Sequence, residues 1–187
     1  MISLEKKFIY IHIPKTGGTS ICEALKEYET PMLSQHAKLR EYEKEGVDLN
    51  SFFKFTSVRN PWERMVSWYL FDQRDKPIIY KNSFNLFLNT ISNQLNRDHN
   101  NSSQFSPQVD FIKKTDREID IDFIIRFENL QEDFNGVYNK IGIPEITLPK
   151  LNVSGDSTNY KSYYSNYTKN FIGELYKDDI EYFKYVF

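Results

Sequence analysis

Residues 7–20 have the sequence KFIYIHIPKTGGTS, and this stretch determines the predicted fold. Its first part, Lys7 to Ile13, is rich in β-branched and aromatic residues and is followed by a proline, which is typical of a short buried strand. The pair Gly17–Gly18 then predicts a tight turn, and Thr19 to Tyr28 has apolar residues at helical spacing. The stretch therefore predicts a strand, a glycine turn and a helix in succession.

Strands and helices are predicted to alternate along the rest of the chain. Further strands are expected at Phe52 to Val58 and at Asp122 to Arg126. Helices are expected from Pro61, after a cap at Asn82 or Ser83, around Phe134 to Ile141, and in the tail Phe171 to Phe187, with irregular loops at Asn96 to Pro107 and Leu148 to Asn170. This alternation predicts an α/β fold with a mostly parallel central sheet flanked by helices, which binds ligands at the carboxyl ends of its strands.

Composition limits the classes of function. The chain has 187 residues, and we expect one domain over residues 1–187. A net charge of -2 gives no overall basic field for nucleic acid, so any anion site must be local. The single cysteine excludes a disulfide within the chain, and we see neither a signal peptide nor an apolar run long enough to span a membrane. These features favour a cytoplasmic protein.

The segment Pro14 to Ser20 has every element of an anion site. Glycines let the backbone turn tightly and approach a ligand closely, and successive amides in such a turn form a concave anion site. The helix that follows adds the positive end of its dipole. The side chains that can contribute are Lys15, Thr16, Thr19 and Ser20. The alternative is an ordinary turn with a threonine cap. The segment is not a Walker A loop, because its lysine precedes the glycines.

A second segment, SVRNPWERMVSWY at residues 57–69, runs from a predicted strand end into a helix. Arg59 leaves the strand where a ligand would lie, and its planar fork suits bidentate contact with a phosphate. Ser67, about two turns into the helix, reaches a phosphate only if that group lies alongside. The alternative is a surface ion pair for Arg59 and no binding role for Ser67. We interpret Arg64 as a structural ion-pair candidate.

Together, the two segments resemble the sulfotransferases that use 3′-phosphoadenylyl sulfate (PAPS), especially carbohydrate sulfotransferases and their small bacterial relatives. The resemblance extends to FIIRFENLQED at residues 123–133 and to DIEYFKYVF at residues 179–187. It implies a P-loop-like, three-layer α/β fold. It also implies that Lys15, Thr16, Gly17, Gly18, Thr19 and Ser20 form the 5′-phosphosulfate loop, and that Arg59 and Ser67 hold the 3′-phosphate.

Such an enzyme needs a general base to take the proton of the acceptor hydroxyl, and histidine suits that task. The resemblance places the base between the first helix and the second strand, where His36 lies. Strand alternation predicts that His12 packs inside, and His99 in a polar loop is expected to be solvated. Glu23 is a weaker substitute for His36. Lys15 is expected to neutralise charge on the oxygen that leaves with the nucleotide.

Three later features are also implied by the resemblance. Gln108 matches a glutamine near the acceptor or nucleotide, and Asn152 begins a stretch similar to a nucleotide-covering loop. In that stretch Lys161 stands where relatives often have an arginine, so the charge is kept but the fork is lost. Tyr163 and Tyr164 either stack on adenine or pack in the core.

The predicted function is therefore transfer of a sulfuryl group from PAPS to an acceptor hydroxyl, in line and without a metal ion, leaving 3′-phosphoadenosine 5′-phosphate (PAP). The acceptor is expected to be a sugar or polysaccharide, and nucleic acid is not an expected partner. Two alternatives remain open. One is an inactive module that binds a phosphonucleotide, and the other is a nucleotide kinase, which would need a Walker lysine and a magnesium carboxylate.

Overall fold

A computed structural model of the chain describes residues 1–75, 83–97, 104–151 and 159–187. The chain divides into two units. One comprises Met1–Val58 and Gln108–Leu151, and we call it the sheet unit. The other comprises Arg59–Pro107 and Asn152–Phe187, and we call it the helical unit.

The sheet unit is built on four strands in the order β1-β2-β3-β4: β1 (Ile2–Ser3), β2 (Phe8–Ile11), β3 (Phe53–Val58) and β4 (Phe123–Arg126). Strands β2, β3 and β4 are parallel, with Phe8 opposite Phe53 and Phe55 opposite Phe123. Strand β1 is antiparallel to β2. All four residues of β2 are buried, as expected for a strand covered on both faces. The predicted mostly parallel sheet is confirmed.

The α-helices among the described residues, in chain order, are α1 (Gly18–Leu25), α2 (Leu39–Lys44), α3 (Pro61–Asp75), α4 (Phe84–Arg97), α5 (Leu130–Ile141), α6 (Asn166–Leu175) and α7 (Lys177–Phe183). Short 3₁₀ turns at Lys26–Tyr28, Leu49–Ser51, Gln108–Phe111, Phe127–Asn129 and Tyr160–Tyr163 complete the regular structure. None of these helices has the length and apolar character needed to cross a membrane.

The core of the sheet unit lies between the strands and helices α1 and α5. Phe8, Tyr10 and Phe55 of the strands are fully buried. They belong to one apolar cluster with Ile21 of α1 and Phe134 of α5. This packing fixes the position of α1 on the sheet, and therefore the position of the turn that joins β2 to α1.

The helical unit has a separate aromatic core. Trp62, Tyr69 and Phe87 belong to this cluster, in which α3, α4 and α6 all take part. Arg64 is fully buried within the unit and donates to the carbonyl oxygens of Gln104 (3.0 Å) and Ser106 (3.2 Å). These bonds hold Gln104 and Ser106. Burial lowers the pKa of Arg64 and the nearby Asp179 acts to raise it, so the ion-pair role of Arg64 stays a prediction.

Some predicted boundaries differ from the observed ones. Helix α6 begins at Asn166, inside the segment predicted to be irregular. Ser165 caps it, because its Oγ accepts the Thr168 amide at 3.2 Å while Thr168 Oγ1 accepts the Ser165 amide at 3.0 Å. The tail forms two helices separated at Tyr176, where one helix was predicted.

The cap of α4 is Ser83, one of the two predicted residues, whose Oγ accepts the Leu86 amide at 3.3 Å. Neither β1 nor α2 was predicted from the sequence.

Candidate anion-binding site

The turn between β2 and α1 contains two residues with left-handed backbone conformation. Lys15 has φ 69°, and Gly17, the N-cap of α1, has φ 84° and ψ 5°. A left-handed conformation costs a residue other than glycine roughly 1–2 kcal/mol. The surrounding structure must offset that cost at Lys15, and such strain is concentrated at functional sites.

Position 18 requires glycine because there is no room for a side chain. Backbone freedom is not the reason, because the φ of Gly18 is not positive. A Cβ at residue 18 would lie 2.0 Å from Cδ2 and 2.2 Å from Nε2 of His12. At Gly17 a Cβ would lie 2.9 Å from Leu130 Cδ2. Side chains therefore pack directly against this backbone, and the turn takes its shape from both sides.

The N-terminus of α1 is suited to an anion. Gly17 has no side chain that could bond the first amides of α1, and the first turn of α1 contains no acidic residue. Those amides and the helix dipole therefore favour an anion at this end. Lys15, Gly17 and Thr19 are half-buried, so parts of the turn reach the surface. Ser20 is 5% exposed, and its Oγ accepts the Leu151 amide at 3.4 Å.

The hydroxyl of Thr16, which we predicted as a donor to the anion, makes a hydrogen bond within the turn. Thr16 is fully buried, and its Oγ1 donates to the carbonyl oxygen of Ile13 at 2.8 Å. A hydroxyl has one hydrogen, so this bond uses the only one that Thr16 can donate. We therefore expect the backbone of Thr16, and not its hydroxyl, to face an anion.

His36 lies next to the turn through its contacts with His12. The two imidazole rings are 4.4 Å apart between centroids in an edge-on arrangement, and His36 Nδ1 lies 3.0 Å from the carbonyl oxygen of His12. A carbonyl only accepts, so Nδ1 carries the hydrogen, and in the neutral ring Nε2 then carries the lone pair. His36 is exposed. This tautomer and this exposure are what a general base requires.

His12 is the structural histidine of the pair, as strand alternation predicted. It is 3% exposed, and burial together with the nearby His36 lowers its pKa from 6.5 to about 3. Burial raises the pKa of the Cys22 thiol to about 11, so the thiol stays protonated. Its Sγ lies 3.6 Å from His12 Nδ1 and can donate there. The exposed Glu23 of α1, the weaker candidate base, forms an ion pair with Lys26 in the turn after α1.

Arg59 and Ser67 lie in the helical unit. Arg59 is 4% exposed, and its Nη2 donates to Glu63 Oε1 at 2.8 Å. The ion pair of the alternative interpretation is therefore present, but it is buried and not at the surface. Ser67 is 5% exposed within α3. The neighbouring Asn60 caps α3, since its Oδ1 accepts the Trp62 amide at 3.1 Å.

The remaining predicted residues have mixed outcomes. Lys161 is exposed, and its Nζ donates to the Phe187 carbonyl oxygen at 3.3 Å. Tyr163 packs against Tyr69, and Tyr164 donates to the Trp62 carbonyl oxygen at 2.9 Å, so both belong to the aromatic core of the helical unit. Gln108 is fully buried in the sheet unit. His99 and Asn152 lie outside the described residues.

One residue with a direct contact to the turn was not predicted from the sequence. Ser57, at the end of β3, lies 2.7 Å from Thr16 between the two Oγ atoms. A serine beside Thr56 in β3 gives no signal of its own, and only the pairing of β2 with β3 brings it to the turn. In the described ranges no group of three or more His, Cys, Asp or Glu side chains could hold a metal ion.

Comparisons with known proteins identify the family. A model of the Sulfotransferase family matches residues 1–186, so the chain belongs to that family. An uncharacterized protein of Archaeoglobus fulgidus is 32% identical over 113 residues, which are 60% of this chain and 85% of that protein. The fold is similar to that of mouse sulfotransferase SULT7A1 complexed with PAP, with TM-score 0.55 and 11% identity over 97% of this chain and 87% of the mouse chain.

A comparison of two helical glycines tests the packing of the turn. We expect Gly18→Ala to lower the free energy of unfolding by at least about 2 kcal/mol, because the new Cβ overlaps the His12 ring. Gly173→Ala in α6 is the matched control: its Cβ would lie 3.5 Å from Trp62, and we expect a gain of up to about 1 kcal/mol. Urea unfolding measures both, and equal effects would contradict the packing described here.

A dependence of stability on pH follows from the lowered pKa of His12. Between the unfolded pKa of 6.5 and the folded pKa of about 3, the unfolded chain binds the proton and the folded protein does not, so stability decreases as pH falls. We expect His12 alone to lower the free energy of unfolding by about 2 kcal/mol from pH 7 to pH 5. Urea unfolding of wild type and His12→Gln across this range measures the contribution of His12. The prediction is refuted if the free energy of unfolding depends on pH equally in both proteins.

Proposed function

We propose that this member of the sulfotransferase family transfers a sulfuryl group from PAPS to a hydroxyl of its acceptor, with residues 1–187 acting as one domain. The observation that carries the proposal is the turn from Pro14 to Gly18. There a lysine is held in a left-handed conformation immediately before a helix N-terminus that has no capping side chain. We infer that the amides and the lysine cation bind the same anion.

We assign the 5′-phosphosulfate of the donor to residues 15–20. The amides of Gly17, Gly18 and Thr19 bind its oxygens, and Lys15 brings a positive charge to them. Ser20 adds its hydroxyl hydrogen, because its Oγ acts only as acceptor in its bond with Leu151. Thr16 contributes its backbone alone.

We assign the 3′-phosphate to Arg59 and Ser67. The bond from Arg59 Nη2 to Glu63 Oε1 supports this assignment, because it fixes the orientation of the planar guanidinium. Lys161 adds charge only if its ammonium leaves the Phe187 carbonyl. PAPS supplies the electrophilic sulfur and, as the leaving group, the nucleotide phosphate.

In the transfer step, His36 Nε2 takes the proton of the acceptor hydroxyl as that oxygen bonds to sulfur. The bond from sulfur to the bridging phosphate oxygen breaks on the opposite side, and Lys15 stabilises the charge that develops on this oxygen. The His12 carbonyl accepts the Nδ1 hydrogen of His36 and therefore stabilises the imidazolium. The sulfuryl group passes directly from the nucleotide to the acceptor, so the enzyme forms no covalent intermediate.

We propose a sugar or polysaccharide as the acceptor. The support is the likeness of both anion motifs to the carbohydrate branch of the family, together with a sequence rich in side chains that bind sugars, including 13 tyrosines. The inactive phosphonucleotide-binding module is the second candidate function. The exposed position of His36 argues against it, because a general base must be accessible to the acceptor.

Nucleotide selectivity tests the donor. We expect isothermal titration calorimetry to detect binding of PAP and at least about a hundredfold weaker binding of ATP, which lacks the 3′-phosphate. Lys15→Ala is expected to weaken PAP binding about tenfold, because a charge-assisted contact is lost. Lys26→Ala, which removes an exposed lysine of the turn after α1, is the control and is expected to have no effect. A preference for ATP would refute the proposed donor.

A histidine substitution tests the base. We expect His36→Ala to lower kcat by about 10²–10⁴-fold, the usual contribution of a general base, while PAP binding stays unchanged. Gln35→Ala, at an exposed neighbouring position, is the control. The assay follows the mass gain of one sulfate on a panel of hydroxylated acceptors. Equal turnover of His36→Ala and wild type would remove His36 from the mechanism, whereas an inactive wild type that binds PAP would favour the inactive module.

A further inference from the structure

A chain of buried hydroxyl groups connects the sheet to the anion-binding turn. Tyr10 of β2, Ser57 of β3 and Thr16 of the turn are each fully buried. The Tyr10 hydroxyl oxygen lies 2.6 Å from Ser57 Oγ, and Ser57 Oγ lies 2.7 Å from Thr16 Oγ1. Thr16 Oγ1 is in turn 2.8 Å from the Ile13 carbonyl oxygen, which is the last member of this series of hydrogen-bonded groups.

The direction of these hydrogen bonds follows from the last acceptor. The Ile13 carbonyl can only accept, so Thr16 donates to it and must accept from Ser57. Ser57 has then used its single hydrogen and must accept from Tyr10. Burial raises the pKa of Tyr10 well above its usual value, so its hydroxyl keeps the hydrogen that begins the chain.

We propose that Ser57 is a positioning residue, which holds the turn in the conformation that binds the 5′-phosphosulfate. The bond from Thr16 to Ile13 closes the turn around Lys15, whose left-handed backbone is unfavourable without such support. Ser57 directs the Thr16 hydroxyl toward Ile13, because its own hydrogen occupies the other side of that oxygen. The turn is therefore shaped before the donor arrives.

Ser57 also belongs to the second sequence motif, since it is two residues before Arg59 in the chain. One side chain of that motif thus makes a direct bond to the first motif. This gives a reason for a fully buried serine between Thr56 and Val58 in β3.

The inference rests on the proposed function, and its test separates the two ends of the nucleotide. We expect Ser57→Ala to weaken the binding of PAP and of adenosine 5′-phosphate about tenfold, because it breaks the chain and leaves buried hydroxyls with one partner fewer. Binding of adenosine 3′-phosphate is expected to be unchanged. Tyr10→Phe, which keeps the bond from Ser57 to Thr16, is expected to weaken adenosine 5′-phosphate only about threefold.

Thr56→Val is the matched control. Thr56 is the fully buried neighbour of Ser57, and its Oγ1 donates to the Ile11 carbonyl oxygen at 2.8 Å, so the substitution removes a buried bond between the same two strands. We expect a loss of stability similar to that of Ser57→Ala and unchanged binding of all three nucleotides. Thermal unfolding of each variant without ligand shows that it is folded.

Hydrogen exchange adds a measurement that needs no ligand. We expect amides of residues 15–20 to exchange about tenfold faster in Ser57→Ala than in wild type or Thr56→Val, because the turn loses its closing bond more often. The inference is overturned if exchange there is unchanged, or if Ser57→Ala weakens adenosine 3′-phosphate as much as adenosine 5′-phosphate. If wild type binds no nucleotide but the exchange difference is present, the proposed donor is refuted. In that case the conclusion that Ser57 shapes the turn still holds.

Discussion

The contact between the His12 ring and the backbone of Gly18 is the constraint on which the rest of the site depends. No other residue type fits at position 18, because a Cβ would overlap the imidazole. The side chain that packs against Gly18 at the start of α1 is buried, and burial lowers its pKa to about 3, so it is neutral near pH 7. On its other side the same histidine, through its carbonyl, orients His36. One buried residue thus contacts both the turn that we propose to bind the anion and the candidate base.

Hydrogen bonds within the chain determine which donors remain for a ligand. The Thr16 hydroxyl is used by Ile13, and one arm of Arg59 is used by Glu63. The fixed partners stiffen the turn and the guanidinium, which reduces the ordering that binding would otherwise require. In the sheet unit, the donors that we propose for the anion are therefore the backbone amides, Lys15 and the Ser20 hydroxyl. Backbone donors of this kind bind a phosphate or a sulfate by shape and charge.

The sequence predicted the elements that have strong local signals. Strands β3 and β4 were confirmed to within one residue at each end, and β2 was confirmed although it ends two residues early. Helix α3 begins at Pro61 as predicted. Strand β1 has only two residues, too few for a periodic pattern. The cap of α6 pairs Ser165 with Thr168, where a capping box usually has Glu or Gln, so its start was missed. Ser57 could not be found, because its role comes from strand pairing and not from local sequence.

A crystal structure of the protein bound to PAP tests the central claim most directly. It should place oxygens of the 5′-phosphate about 2.7–3.2 Å from the amide nitrogens of Gly17, Gly18 and Thr19. The Thr16 hydroxyl should still donate to Ile13 in that complex. A 5′-phosphate bound elsewhere, or a turn in which Lys15 has left the left-handed region, would contradict the account.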